Sequence, residues 1–375
     1  MYIWEHEAWP KLVWDEPYLA PLLTKVHREQ GRLIGKMEAL GFELQGRTYL
    51  ETLTLDVVKS SEIEGEKLDS DQVRSSIARR LGMDIAGLVP ADRNVDGVVE
   101  MMLDATRRYA TPLTDKRLFD WHAALFPTGR SGMRTILVGK WREDTDGPMQ
   151  VVSGPIGHEH VHYEAPPSSR IQEEIERFLA WFNQSSNNDP LLRAGLAHLW
   201  FVTIHPFEDG NGRITRAIAD MVLARGDQSA QRAYSMSAQI RRERDDYYRM
   251  LERAQKSSLD ITQWQEWFLG CMTRAVGEAQ DLLEDAIQKA RFWDRYSKEA
   301  LNERQITVLK RIMDNFEGKL TSSKWAKIAK CSQDTAGRDI NDLIERGVLE
   351  KNSAGGRSTS YSIVLQDRNS YGNGV

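Results

Sequence analysis

The chain has 375 residues, with 50 Lys plus Arg against 55 Asp plus Glu and a formal charge of −5. That length exceeds what one hydrophobic core usually fills, so two or three domains are expected. With 41% hydrophobic and 28% charged residues it is a folded globular chain rather than a disordered polyelectrolyte. Its acidic balance argues against a nucleic-acid coat. Two cysteines, Cys271 and Cys331, cannot build a disulfide framework or a four-ligand zinc site. The start, MYIWEHEAWP, lacks a signal-peptide pattern, and no apolar run approaches the roughly 18 residues that span a bilayer. A cytoplasmic protein with no membrane partner is expected.

Residues 16 to 82 read as helix almost throughout. Pro17 suits a first helical turn, and Leu19, Leu22, Leu23, Val26, Leu33, Ile34, Met37 and Leu40 recur at helical spacing. Gly41 fits as the cap that ends this helix. A second helix is predicted from about Thr48 to Glu64, stopped by Gly65, and a third from near Asp71. The stretch 83–94 reads as a linker, and two more helices fill 95–126. Residues 127–167 break the helical period with six glycines (129, 132, 139, 147, 154, 157) and short alternating pieces. They predict a β-hairpin ending at Pro166-Pro167.

Helices resume at Ser169 and dominate to about 295, interrupted by a Gly-rich turn at 210–212. In the last 75 residues, helices are predicted over Arg304–Phe316, after a Thr321 cap, and from Ser332 to Arg346-Gly347. Two strands around Gly355-Gly356 follow, so three helices and a two-stranded wing make a winged helix-turn-helix. The polar tail is expected to be disordered. The expected divisions are 1–90 (N-terminal helical), 91–295 (catalytic), 300–366 (winged helix) and 367–375 (tail). The fold class is mainly α.

Residues 205–216 read HPFEDGNGRITR, between a mostly apolar helix and a second helix that opens at the Gly-Asn-Gly turn. Backbone amides at such a turn form an anion nest, where a side chain would block phosphate oxygens. Arg213 and Arg216, three apart on one helical face, suit a polyphosphate chain. Asp209 is a hard oxygen ligand for a magnesium ion bridging phosphates. His205, at the end of the preceding helix, is placed to take a proton. Any one of these features alone would be an ordinary helix connector. Together they describe transfer from a nucleoside triphosphate to a protonated nucleophile. Glu208 reads as a solvated neighbour with no role.

This string resembles the Fic motif, H-P-F-x-D/E-G-N-G-R-x-x-R, without departure, and the resemblance covers roughly residues 95–280. It implies an all-helical enzyme that moves AMP from ATP to a Ser, Thr or Tyr hydroxyl of a target protein, and to itself. By that resemblance His205 is the general base and Asp209 the ligand of Mg²⁺ (or Mn²⁺). Gly210, Asn211 and Gly212 are the α- and β-phosphate nest, and Arg213 and Arg216 contact the β- and γ-phosphates. The family's β-hairpin flap, which pairs its main chain with the target peptide, corresponds to Gly139–Arg142, Gln150, Val151, Val152 and the strand Val161-His162-Tyr163.

Alternation puts His158, His160 and His162 on one strand face, where a metal site or a target contact are both readings. Tyr248 and Gln255 resemble the adenosine wall, with Gln255 where the family often has Asn. Tyr247 fits a packed helix equally well. The end of the second helix, Ser60-Ser61-Glu62-Ile63-Glu64-Gly65, carries carboxylates that oppose the helix dipole, so Glu64 is expected to have a partner elsewhere. It resembles the Fic inhibitory motif, S/T-x-x-x-E-G/N, with Ser60, Glu64 and Gly65 in place. The resemblance implies that Glu64 pairs with Arg216 at the γ-phosphate position. It leaves AMP removal as an alternative activity of the same site, and homodimerisation as an option. For the winged helix the readings are DNA or a protein partner. Asp334, Asp339, Asp342 and Glu345 on its third helix weigh against DNA, whereas Lys324, Lys327, Lys330, Arg338 and Arg357 are candidate phosphate contacts.

Overall fold

The computed structural model describes residues 1–364 apart from 86, 146, 156–157, 159, 186–187, 298–300, 314–317 and 353–358. The Gly355-Gly356 turn, Arg357 and the polar tail therefore lie outside the described residues. The chain separates into two compact units, Met1–Gln280 and Asp281–Val375. Fourteen α-helices and three two-stranded antiparallel hairpins make up the regular structure among the described residues. The mainly helical fold class predicted from periodicity is the one observed. No helix among the described residues is long and apolar enough to cross a membrane.

The first unit begins with α1 (Glu16–Glu38), capped by the Asp15 carboxylate on Tyr18 N and carrying Pro17 in its first turn. Helix α2 (Phe42–Ile63) starts six residues before the expected Thr48. Gly41 is its N-cap, with φ −63, not the C-cap of α1, which ends at Ala39. Gly41 adopts no left-handed conformation, so the glycine rule had no purchase there. Gly65, by contrast, takes φ 85 and ends α2 as expected.

Asp69, Asp92 and Thr114 cap α3 (Ser70–Leu81), α4 (Arg93–Arg107) and α5 (Asp115–Leu125) with their side-chain oxygens. The predicted hairpin resolves into two small ones. They are β1 (Arg130–Ser131) with β2 (Arg134–Thr135), and β3 (Gln150–Ser153) with β4 (His160–Glu164). Gly139–Arg142 belongs to neither, because Gly139 N donates to His122 Nδ1 and the Trp141 ring packs on Phe119 and Phe207.

Next come α6 (Ile171–Asn183), α7 (Pro190–Ile204), α8 (Asn211–Asp227), α9 (Met236–Arg242), α10 (Arg244–Gln255) and α11 (Thr262–Ser297). Helix α7 is apolar on every side and buried from Leu191 to Ile204 except at Arg193, as a helix at the centre of a core must be. Helix α8 folds back along it and is buried almost as completely. Helix α2 packs into the same core through Leu53, Val57 and Ile63. Its Asp56 accepts hydrogen bonds from Ser235 Oγ and Ser237 N at the start of α9.

The second unit holds α12 (Glu303–Met313), α13 (Ser322–Ala329) and α14 (Gln333–Glu345) with the pair β5 (Leu349–Lys351) and β6 (Tyr361–Ile363). Thr321 and Ser332 cap α13 and α14, and Trp325, Ile340, Leu343 and Val348 fill its core. The acids of α14 do not all face outward. Asp339 is buried and accepts from Arg304 Nε and Nη2, each at 2.9 Å, and Asp342 accepts from Gln305 and Arg346.

Helices α4 and α5 touch backbone to backbone. A Cβ on Gly97 would lie 1.8 Å from the Ala124 carbonyl oxygen, with no flexible side chain to give way. Gly97→Ala is therefore expected to destabilise the first unit by about 2–3 kcal/mol, read as a lower urea midpoint. An unchanged midpoint would contradict this close approach.

Candidate functional site

The centre of the site is the turn between α7 and α8. His205 caps α7 with its N–H on Phe201 O, but in left-handed backbone, φ 51 and ψ 57. That geometry costs a non-glycine residue roughly 1–2 kcal/mol. It is held from outside by the buried Arg142, whose Nε donates to His205 O at 2.8 Å and whose N donates to Pro206 O at 2.9 Å. Nη2 of the same guanidinium reaches Pro166 O at 2.5 Å, tying the turn to the end of the β3–β4 hairpin. His205 Nδ1 lies 3.2 Å from Val202 O, which puts the ring proton on Nδ1 and leaves Nε2 with a lone pair. Burial pushes the imidazole pKa down to about 4, although the Val202 hydrogen bond and the Glu64 and Asp209 charges oppose the shift. The ring is therefore neutral at pH 7.

The turn itself is closed by Asn211, which accepts from Phe207 N at 3.0 Å and donates to Phe207 O at 2.8 Å. Its side chain is thus spent on the loop, and what Asn211 can offer an anion is its backbone amide. Gly210 turns at φ 80 against the Phe126 ring. Helical geometry leaves the amides of Asn211, Gly212 and Arg213 without intrahelical acceptors, at the positive end of α8. A buried helix start with three free donors is an anion site.

The group nearest those donors is a carboxylate from α2. Glu64 Oε1 accepts from Arg216 Nη1 at 2.8 Å, and a Cβ added to Gly212 would meet it at 2.0 Å. Arg216 is 2% exposed, and Ser60 accepts two more of its N–H groups: Nε to Oγ at 2.9 Å and Nη2 to the carbonyl at 2.8 Å. Burial works against its charge, but Glu64, Tyr247 and Tyr248 more than offset that and raise its pKa. A second acid, Glu66, pairs with Arg213 Nη1, while the Arg213 guanidinium stacks 5.0 Å from the Phe126 ring centre. Gly65 sits between the two acids at φ 85, which turns the chain so that both carboxylates face α8.

Tyr248, on α10, forms the other side. Its hydroxyl lies 3.4 Å from both Glu64 Oε2 and Ile63 O, and the Arg244 guanidinium covers its ring at 4.8 Å. Gln255, two turns further along α10, is buried and donates to Thr203 Oγ1 at 3.4 Å. Tyr247 is a core residue, 1% exposed, with its hydroxyl 2.9 Å from His198 Nε2. In the β3–β4 hairpin Gln150 pairs with Glu164, Val151 with Tyr163 and Val152 with Val161, with a bulge between Val151 and Val152. The Tyr163 hydroxyl donates to Thr203 O at 2.6 Å and ties the hairpin to α7. His162 faces α10, where its Nδ1 meets Glu252 Oε2 at 2.8 Å.

Asp209 has one carboxylate oxygen on Gly210 N, at 2.5 Å, and the other on the Ser131 hydroxyl. A single oriented carboxylate beside an anion nest fits Mg²⁺, which takes one or two carboxylates and completes its shell with phosphates and water. Glu208 is not the idle neighbour expected, because its Oε2 accepts from Leu137 N at 3.2 Å and fastens the loop after β2.

Glu66, Ser131 and Arg244 escaped the sequence reading, and Arg142 entered it only as part of the flap. Only Glu66 had a local signal, the repeated acid of Glu64-Gly65-Glu66. The other three come from distant segments and carry no motif.

Comparison with known proteins bears on this geometry. Residues 112–223 match the Fic/DOC family, and residues 2–83 match a domain of unknown function, DUF4172. A protein adenylyltransferase, fic-1 of Caenorhabditis elegans, is 26% identical over 212 residues, which is 55% of this chain and 39% of that protein. The protein adenylyltransferase Fic of Drosophila mojavensis is 31% identical over 104 residues, 27% of this chain and 19% of its own. These matches span well under half the length of the curated relatives. Among solved structures, a Fic family protein of Desulfovibrio desulfuricans G20 superposes with a TM-score of 0.51 at 21% identity, covering 92% of this chain and 96% of that one. A Fic domain containing signaling protein of Bacteroides thetaiotaomicron also gives 0.51, at 17% identity over 70% of this chain and 97% of that one. Residues 112–223 thus form a Fic/DOC domain with homology to the protein adenylyltransferases, within a helical chain of Fic-type fold.

Proposed function

We propose that the chain is a protein adenylyltransferase that moves AMP from ATP to a Ser, Thr or Tyr hydroxyl of a target protein and of itself, and that Glu64 restrains it. The observation that carries this reading is the Glu64 carboxylate lodged on Gly212 and Arg216, at the buried start of α8 with the His205 imidazole beside it. In the reaction, His205 Nε2 takes the proton from the target hydroxyl. The hydroxyl oxygen bonds to the α-phosphorus of ATP and the bond to pyrophosphate breaks. Amides of Gly210 to Arg213 and the guanidinium groups of Arg213 and Arg216 hold the phosphate charge. Asp209 would hold Mg²⁺ or Mn²⁺, which supplies further neutralisation of that charge. Tyr248 offers a face for the adenosine, with Gln255 further along the same helix, and the β3–β4 hairpin edge from Gln150 to Val152 offers main-chain pairing to the target.

Restraint follows from charge. A carboxylate on the anion nest repels a γ-phosphate and occupies one donor of Arg216, and Ser60 fixes the arginine that Glu64 engages. Glu66 acts in the same sense on Arg213 and forms a second, weaker lock, because it is more than a third exposed. The second unit is read as a winged helix. Internal pairing of Asp339 and Asp342 removes part of the repulsion that weighed against DNA, so a salt-dependent gel shift of the full chain separates DNA binding from protein docking.

Wild type and Glu64→Gly are to be incubated with labelled ATP, Mg²⁺ and a cell lysate. Glu64→Gly is expected to raise labelling of target and self by about tenfold or more, a change of roughly 1.4 kcal/mol. A wild type already as active as the variant would sink the restraint. Adding Glu66→Ala to Glu64→Gly is expected to raise the rate further, by up to about fivefold, from the roughly 0.2–1 kcal/mol of a half-exposed pair. His205→Ala in the Glu64→Gly background is expected to lose about 10²- to 10⁴-fold. Because the folded pKa of His205 is depressed to about 4, the base stays neutral as pH falls. The Glu64→Gly rate should therefore persist at pH 5.5 and fail only below about 5, and an acid limb at 6.5 or above would contradict this.

A further inference from the structure

Outside the α7–α8 turn, a second group of ligand-type side chains converges from two elements. His160 and His162 come from strand β4 and Glu252 from helix α10. One nitrogen or oxygen from each lies within 4.8 Å of the others. Strand alternation puts the two histidines on one face, with ring centres 4.6 Å apart at an interplanar angle of 89°. The expectation of three histidines on that face is altered here: the third group is the carboxylate of Glu252, while His158 stands exposed two residues before His160.

The surrounding partners are those a metal site requires. His162 Nδ1 faces Glu252 Oε2 at 2.8 Å, and its other nitrogen, Nε2, lies 2.6 Å from Ser153 Oγ on the paired strand. The second oxygen of Glu252 accepts from Lys256 Nζ at 2.6 Å, which fixes the carboxylate plane. A ligating histidine ordinarily donates its remaining N–H to an oxygen, and a ligating carboxylate is hydrogen-bonded in turn. Ser153 and Lys256 fill those two places. Two imidazoles and one carboxylate, half-exposed, are the donor set of a zinc centre with an open fourth position, and too poor in oxygen for magnesium or calcium.

We propose that His160, His162 and Glu252 form a site for a divalent cation of the zinc type, distinct from Asp209, which ties the β3–β4 hairpin to α10. Entry of the ion between His162 Nδ1 and Glu252 Oε2 moves the imidazole proton from Nδ1 to Nε2. The Ser153 hydroxyl then changes from donor to acceptor, so no net proton is released from a neutral ring. The two sides of the site belong to the hairpin and to the helix that carries Tyr248, so the ion fixes one against the other. The inference does not depend on the activity proposed above.

The test uses the full chain, stripped with a chelator and titrated with Zn²⁺ at pH 7.5 in competition with a chromophoric chelator. One equivalent is expected to bind with a micromolar or tighter dissociation constant. Substitution of Co²⁺ should give the intense visible bands of four-coordinate geometry. His160→Ala touches only an exposed ring and should leave the fold intact while weakening Zn²⁺ binding about tenfold or more. Glu252→Gln should weaken it similarly, and His27→Ala, far along the chain on α1, should change nothing. Absence of binding at tens of micromolar Zn²⁺, or binding undiminished in both His160→Ala and Glu252→Gln, would overturn the proposal.

Discussion

A buried guanidinium must be satisfied, and most of the site's architecture serves Arg216. Leaving such a charge unpaired typically costs 3–5 kcal/mol. Ser60 accepts two of its hydrogen bonds, one through the side chain and one through the backbone carbonyl, and Glu64 accepts one. This division has a consequence. Ser60 therefore holds Arg216 independently of Glu64, so the restraint proposed for Glu64 would be removable without unfolding α2.

The same packing holds α2 in place. Helix α2 is no appended lid: Leu53, Val57 and Ile63 are core residues, and Asp56 is hydrogen-bonded beneath α9. Removing the helix would open the hydrophobic core of the first unit. The two carboxylates themselves lie beyond Ile63, where Gly65 ends the helix and Glu64 and Glu66 are partly exposed.

Electrostatics in the site are local and nearly balanced, which the formal charge of −5 conceals. Arg213 and Arg216 face Glu66 and Glu64 across the start of α8, and His205 beside them is kept neutral by burial. A neutral imidazole with its proton on Nδ1 keeps a lone pair on Nε2.

Helical periodicity, Pro17 in the first turn of α1, caps at Thr321 and Ser332, and the Gly65 stop were legible because each depends on neighbours within one or two turns. The twelve residues from His205 to Arg216 were legible for the same reason: a turn and the helix it opens are local structures. The expected Glu64 partner could be named only through family resemblance, since 152 positions separate it from Arg216. The start of α2 was misread because a glycine can sit in ordinary extended backbone as readily as in a left-handed cap. Gly139–Arg142 was misread as hairpin because Arg142 is a buried clamp on the His205 backbone, and no pattern in the sequence marks that. By itself the sequence determined the elements and the chemical groups near the turn. Tertiary structure alone decided that Glu66 joins Glu64 over α8 and that Glu252 rather than His158 meets His160 and His162. Each of those depends on chain segments brought together by core packing, and no local preference encodes such distances.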